Sequence, residues 1–279
     1  MSEPHIRNLN LSDLKDLLDW AKAEGWNPGL DDAEPLFAAD PDGFFGCFVG
    51  GKLASAISAV RYGETFGFIG LYISHPELRG KGFGRRVWDH GMAYLEGRTV
   101  GLDGVPQQQA NYARMGFSPC YKTVRWSGSF NENTIVSPKV IALDPSAFTE
   151  IAQFDRRAFP AERTAFLRAW IDPPRHALGL MQNGRLTGYG VLRSCHQGFK
   201  IGPLFAGTDQ GAFELFSALC QLAGRETIHI DVPEDQGVFG EYLQGLGFTQ
   251  GFTTARMYRG APPRLEERLI FGVTTLELG

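Results

Sequence analysis

The sequence predicts an α/β (α+β) chain built from two tandem copies of one unit. Three observations carry this. Apolar runs with a period of two alternate along the chain with runs of helical period. Pairs of apolar runs flank Gly50-Gly51 and again Asn183-Gly184, each a hairpin signal. From about Pro138 the element order is replayed, so both halves read β-α-α-β-β-β-α-β-α-β.

The first half opens with a helix, in which Leu11, Leu14, Leu17, Leu18 and Ala21 recur at helical spacing. Ser12 or Asp13 is the expected cap and Gly25 the stop. "GWNPG" forces a turn, because Pro28 fixes φ and Gly29 permits a positive one. "DDAEPLFAADP" is a short second helix. A hairpin follows around Gly50-Gly51. "ETFGFIGLYIS" comes next, apolar enough toward its end to be a central strand. "GRRVWDHGMAYLEGR" and "QQQANYARMGF" are helices on either side of the short strand "TVGLDG", and "YKTVRWSGSF" is the last strand.

The second half matches these segments in turn, including Gly247-Phe248 against Gly116-Phe117. "SFNENTIVSPK" is the expected linker. The tail "RLEERLIFGVTTLELG" has no counterpart in the first half and reads as a short helix and a strand.

Of the 279 residues, 43% are hydrophobic and 21% charged, with a net charge of −4. That is ordinary for a globular protein of two domains, and it implies no general attraction to nucleic acid or anionic membrane. The four cysteines are scattered with no CxxC pair, so neither a disulfide framework nor a zinc site is expected. No apolar stretch approaches membrane-spanning length, and "MSEPHIRNLN" lacks a signal pattern, so the expected location is cytoplasmic.

The chemistry concentrates in "ELRGKGFGRR", which joins a strand to a helix. Glycine lets backbone amides approach a ligand closely, and amides at a helix N-terminus face an anion with the helix dipole behind them. Arg79, Lys81, Arg85 and Arg86 add charge for a phosphate. The GxxxxGK[ST] phosphate loop is absent. Glycines at 80, 82 and 84 do not fit the GxGxxG dinucleotide spacing either.

"YISHPELRGKGFGRRV" resembles motif A of the GNAT superfamily of N-acetyltransferases, Arg/Gln-x-x-Gly-x-Gly/Ala, with Arg79, Gly82 and Gly84 in place. "NYARMGF" is similar to motif B, with Tyr112 four residues before Gly116-Phe117. The resemblance implies two tandem GNAT-like domains, each a mixed, mostly antiparallel sheet flanked by helices. Residues 1–130 would be the acetyl-CoA-binding domain and 138–279 a degenerate copy. It also implies that the loop Arg79, Gly80, Lys81, Gly82, Phe83, Gly84 and Arg85 holds the pyrophosphate of acetyl-CoA as co-substrate. Leu71, Tyr72 and Ile73 would pair with the pantetheine arm. Tyr112 would be the acid that protonates the leaving thiolate, or else a packed aromatic. The Asn common seven residues before that Tyr is Val105 here.

No general base stands out. Glu24, Glu64 and Asp103 are candidates, and His75 reads as a turn residue. Cys195-His196 is a poor nucleophilic pair, since neighbours on a strand face opposite ways. Trp26 and Asn27 either line the acceptor side or simply pack. In the second half the loop "LFAGTDQGAFELF" lacks the glycine spacing and the cations, and Asp209 would repel phosphate. That copy is therefore expected not to bind CoA, and either to bury an edge of the first domain and shape the acceptor cleft or to stand as an independent domain on the linker.

The expected function is direct acetyl transfer to a primary amine of a small molecule, by a monomer or homodimer. No metal, nucleic acid or membrane is involved. The alternatives are an acyl-CoA-binding regulatory module without turnover, and a glycyl or aminoacyl transferase on the same fold.

Overall fold

Asn10, rather than Ser12 or Asp13, caps the first helix. Its side chain accepts from the Asp13 amide at 3.0 Å, and the Asp13 carboxylate accepts from the Asn10 amide at 2.9 Å. This reciprocal box satisfies two donors that have no partner inside the helix. The computed structural model describes residues 3–132 and 135–279. Asn133 and Thr134 of the expected linker lie outside the described residues.

The first half runs β1 (His5–Asn8), α1 (Leu11–Ala23), α2 (Ala33–Ala39), β2 (Phe44–Val49), β3 (Lys52–Tyr62), β4 (Phe66–Ser74), α3 (Phe83–Tyr94), β5 (Thr99–Gly104), α4 (Pro106–Arg114) and β6 (Ser118–Ser129). The second half repeats that order: β7 (Val140–Ala142), α5 (Phe148–Ala158), α6 (Thr164–Ile171), β8 (His176–Gln182), β9 (Arg185–Ser194), β10 (Phe199–Ala206), α7 (Asp209–Ala223), β11 (Thr227–Pro233), α8 (Gly237–Gly245) and β12 (Thr249–Arg259). The tail holds a 3₁₀ turn, Glu267–Leu269, in place of the expected helix, and then a short strand, β13 (Ile270–Gly272).

The two halves share one sheet of 13 strands, ordered β1-β2-β3-β4-β5-β12-β6-β11-β10-β9-β8-β7, with β13 against β10. The last strands are exchanged. β12, from the second half, pairs with β5, while β6 pairs with β11. β12 and β6 then pair antiparallel along the seam, from Thr249 opposite Ser127 to Tyr258 opposite Ser118. Neither half completes its sheet without a strand from the other. The second half therefore does more than cover an edge.

The hairpin turns are where the sequence puts them, with positive φ at Gly50, Gly51, Asn183 and Gly184. Pairing is antiparallel except for β4 with β5 and β10 with β11, each joined through a crossover helix. On one face, the helices of both halves bury a common core. Leu14 and Leu17 of α1 belong to the same cluster as Phe166 and Trp170 of α6. Each such side chain contributes about 1.5–3 kcal/mol on burial. On the other face, α3 and α4 cover the first half and α7 and α8 the second, with separate cores.

Candidate functional site

The site begins where two parallel strands part. β4 and β5 pair from Phe66 with Thr99 to Ile69 with Leu102, and then stop. A bulge lies just beyond. Ala56 and Ser58 of β3 face Ile73 and Gly70 of β4, so β4 carries one extra residue, and Leu71 takes up the kink with φ of 45°. From Gly70 to Ser74, β4 pairs with β3 on one side and leaves its other edge facing a notch. A cavity of about 630 Å³ fills the notch. Leu71, Tyr72 and Ile73, the expected pantetheine-side residues, all line it, as does Arg79.

At one end of the notch stands the glycine loop. Gly80 and Gly82 adopt φ of 76° and 84°, and nothing lies within 4 Å of where a Cβ would be. The space they leave is open to a ligand. Gly82 is also the cap residue of the 12-residue helix α3 and supplies no side chain to its first amides. Those amides are left for an outside acceptor. The loop thus fits a pyrophosphate.

The cations are partly engaged. The Arg79 guanidinium bonds the Ser74 carbonyl at 3.1 Å and pairs with Glu24. Lys81 donates to the Glu77 carbonyl at 3.0 Å, and Arg85 pairs with Asp89 at 2.7 Å. Gly84, inside α3, lies against Ser74 and Tyr72: a Cβ there would come within 3.0 Å of the Tyr72 hydroxyl. Phe83 packs on the core below α3.

Tyr112 reaches the notch from α4. Its ring stacks on Trp88 at 5.5 Å and lies edge-on to Phe117 at 6.3 Å. Packing and cavity lining are therefore both true of it. Burial, with the Tyr72 hydroxyl nearby, pushes its hydroxyl well above the ordinary phenol value. It holds its proton at neutral pH.

The chain's tail closes the other end. Gly70 has no Cβ because the Glu277 carbonyl stands 1.9 Å from where one would be. Tyr62 donates to the Leu278 carbonyl at 3.1 Å, and Arg163 to the Gly279 carbonyl at 3.3 Å. Leu276 and Glu277 line the cavity. No local signal marked these residues; the seven that follow β13 show no periodicity.

"EGWNPG" divides between the two readings. Trp26 lines the cavity and packs on the core. Asn27 is turned to the second half: its amide donates to the Gln197 carbonyl and accepts from the Gln197 amide, each at 3.0 Å. The carbonyls of Trp26 and Asn27 accept from buried Lys200 at 3.4 and 3.0 Å. Asn27 thus joins the halves, and it is not among the residues lining the cavity. Val105, at the start of α4, does line it.

Of the candidate bases, Glu24 and Asp103 border the cavity, and both are held by arginine. Asp103 is bidentate to Arg256, at 2.9 and 2.8 Å. Burial pushes its carboxyl up, and Asp231 and Glu277 add to this, against the pull of Arg256. Glu64 lies exposed in the turn between β3 and β4. His75 sits edge-on to Trp20 at 5.5 Å, with its Nδ1 buried and unpartnered.

The second half has the same notch, and the chain itself fills it. β10 and β11 pair from Phe199 with Ile228 to Ile201 with Ile230. Past that point β13 wedges in. Leu204 faces Gly272, and the Val273 amide donates to the Asp231 carbonyl at 2.9 Å. Gly202, the counterpart of Gly70, stands against the Thr274 carbonyl. Thr208 caps α7 with its own hydroxyl, and the Tyr242 hydroxyl is bonded to Ser217 at 2.8 Å.

Comparison with known proteins agrees with this geometry. Residues 11–117 match the "Acetyltransferase (GNAT) family" and residues 151–272 the "Acetyltransferase (GNAT) domain". The chain is 32% identical over 263 residues to a holothin acyltransferase from Pseudoalteromonas sp. (strain SANK 73390), covering 94% of this chain and 90% of that one. It is 25% identical over 230 residues to the uncharacterized N-acetyltransferase YitH of Bacillus subtilis (strain 168), covering 80% of each. The crystal structure of a putative acetyltransferase from Pyrococcus horikoshii superposes with a TM-score of 0.85 over 100% of this chain and 97% of that one, at 21% identity. A tandem GNAT protein from the clavulanic acid biosynthesis pathway superposes with a TM-score of 0.65 over 94% of this chain and 100% of that one, at 16% identity. The chain belongs to the GNAT family, as an acyltransferase with two GNAT domains in tandem.

Proposed function

We propose that the first half transfers acetyl from acetyl-CoA directly to the primary amine of a small molecule. The observation that carries this is the notch past Ile69, with the glycine loop at one end and Leu276 and Glu277 closing the other. A cavity of about 630 Å³ is in the small-molecule range. Closure of one end of the notch by Leu276 and Glu277 supports a compact acceptor over a peptide or nucleic-acid strand lying along a groove. The relative named as a holothin acyltransferase supports acyl transfer by this arrangement of two halves.

Acetyl-CoA supplies an acyl group activated as a thioester. Gly80, Lys81, Gly82 and the first amides of α3 bind its phosphates, and the free edge of β4 aligns the pantetheine arm. Tyr112, protonated at neutral pH, supplies a phenolic proton for the departing sulfur. Trp26 forms a wall on the acceptor side. The test is thiol release from acetyl-CoA over a panel of small amines. Turnover on one or more supports the reading; acetyl-CoA binding without release on any amine points to a regulatory module.

A further inference from the structure

We infer that Glu277, on the chain's tail, is the base that takes the proton from the acceptor amine; this rests on the transferase reading of the first half.

Among the described residues, three carboxylates border the cavity: Glu24, Asp103 and Glu277. Two are neutralised by arginine, Glu24 by Arg79 and Asp103 by both nitrogens of the Arg256 fork. Among the described residues Glu277 forms no ion pair. Its Oε2 accepts from the Thr275 hydroxyl, and the same hydroxyl accepts from the Glu277 amide at 2.8 Å. This turn fixes the side chain. Oε1 makes no hydrogen bond among the described residues and is not a sealed, unpartnered atom. Glu24 also has a free oxygen, Oε2, but its carboxylate is already paired with Arg79, so Glu277 is, among the described residues, the cavity carboxylate with a free oxygen and no arginine partner.

The backbone around it is held equally well. The Glu277 carbonyl lies against Gly70, and Ser58 donates to it at 3.5 Å. Gly70 is the first β4 residue past the point where β4 and β5 part, so the tail is registered on the edge of the notch. The charged groups around Glu277 are Asp103 of β5, Arg125 of β6, Arg193 of β9 and Lys200 of β10.

In the transfer, the amine lone pair forms the C–N bond as the acyl C–S bond breaks. The N–H proton passes to Glu277 Oε1, and the Tyr112 hydroxyl protonates the sulfur. Solvent returns the proton from Glu277 to Tyr112, so the sum is amine and thioester in, amide and thiol out. The second half, which binds no co-substrate in this account, thereby supplies a reacting group to the first.

The experiment compares Glu277→Gln and Glu277→Ala with wild type and with Glu64→Gln, whose side chain is on an exposed turn. Three things are read: thiol release on an amine the wild type acetylates, the thermal shift with acetyl-CoA, and rescue by added formate. The expected result for Glu277→Gln is a loss of about 100-fold or more in kcat with an unchanged thermal shift. Formate should restore part of the Glu277→Ala rate, and Glu64→Gln should match wild type. Glu277→Gln within threefold of wild type overturns the assignment while leaving the transferase reading intact. So does a lost rate that formate fails to restore in a folded Glu277→Ala. A wild type that releases no thiol on any amine overturns the transferase reading, and this one with it.

Discussion

Asp103 and Arg256 face each other across β5 and β12, strands from opposite halves, and form a buried bidentate pair at 2.9 and 2.8 Å. Asp231 and Arg125 repeat it across β11 and β6, at 2.8 and 2.9 Å. Each half contributes an Asp from its fifth strand and an Arg from its exchanged sixth. The duplication is thus written into the seam, and each pair ties one half's sheet to the other half's last strand.

Arg256→Met leaves Asp103 buried without its cation. Breaking a buried pair from one side costs about 3–5 kcal/mol, whereas replacing both partners with apolar groups is close to neutral. Urea unfolding should show that loss for Arg256→Met and recovery of most of it in Asp103→Leu/Arg256→Met. Equal stability of the single variant and wild type would show that the pair does not hold the seam.

Acid should act on the companion pair in a predictable direction. Burial pushes the Asp231 carboxyl up, but Arg125, Lys200 and Arg193 together outweigh it and hold the carboxyl below its usual value. A depressed carboxyl stabilises the fold above its unfolded pKa, about 3.9, and that contribution fades as pH falls through the lower folded value. The gap in unfolding free energy between wild type and Asp231→Asn should be full at about pH 6 and shrink below about pH 4. A gap that widens on acidification contradicts the assignment.

Gly82→Asp places a side chain at φ of 84° and a negative charge in the anion cradle. The backbone strain is roughly 1–2 kcal/mol. The larger effect is on the ligand. The thermal shift given by acetyl-CoA should vanish, while the melting of the free protein moves by only a few degrees.

Tyr112→Phe keeps the stack on Trp88 and removes the proton. Turnover should fall about 100-fold or more with acetyl-CoA affinity nearly unchanged. The raised pKa also means that Tyr112 itself should cause no fall in kcat/KM between about pH 7 and pH 10 in the wild type. Unaltered turnover in Tyr112→Phe refutes the acid assignment.

The element order and the cradle could be read from the sequence because both are written locally. Hairpin glycines, helical spacing and glycines around a strand-to-helix turn act within a few residues. The strand exchange left no such mark. "YKTVRWSGSF" has the same alternation whichever sheet it joins, and an Asp–Arg pair forms across the fifth and sixth strands in either arrangement, so neither the pattern nor the charges in the sequence mark the exchange. Glu277 went unseen because its role depends on Gly70, more than two hundred residues earlier. Asn27 looked available because its partner, Gln197, is in the other half. The cap of α1 is Asn10 rather than Ser12 or Asp13, because Asn10 and Asp13 act as a reciprocal pair.

In the proposed function a notch built twice is used once, because β13 occupies the second copy. Isothermal titration of acetyl-CoA into the full chain tests it most directly. Wild type should show one site per chain and Gly82→Asp none. Two sites per chain, or binding that survives Gly82→Asp, would contradict it.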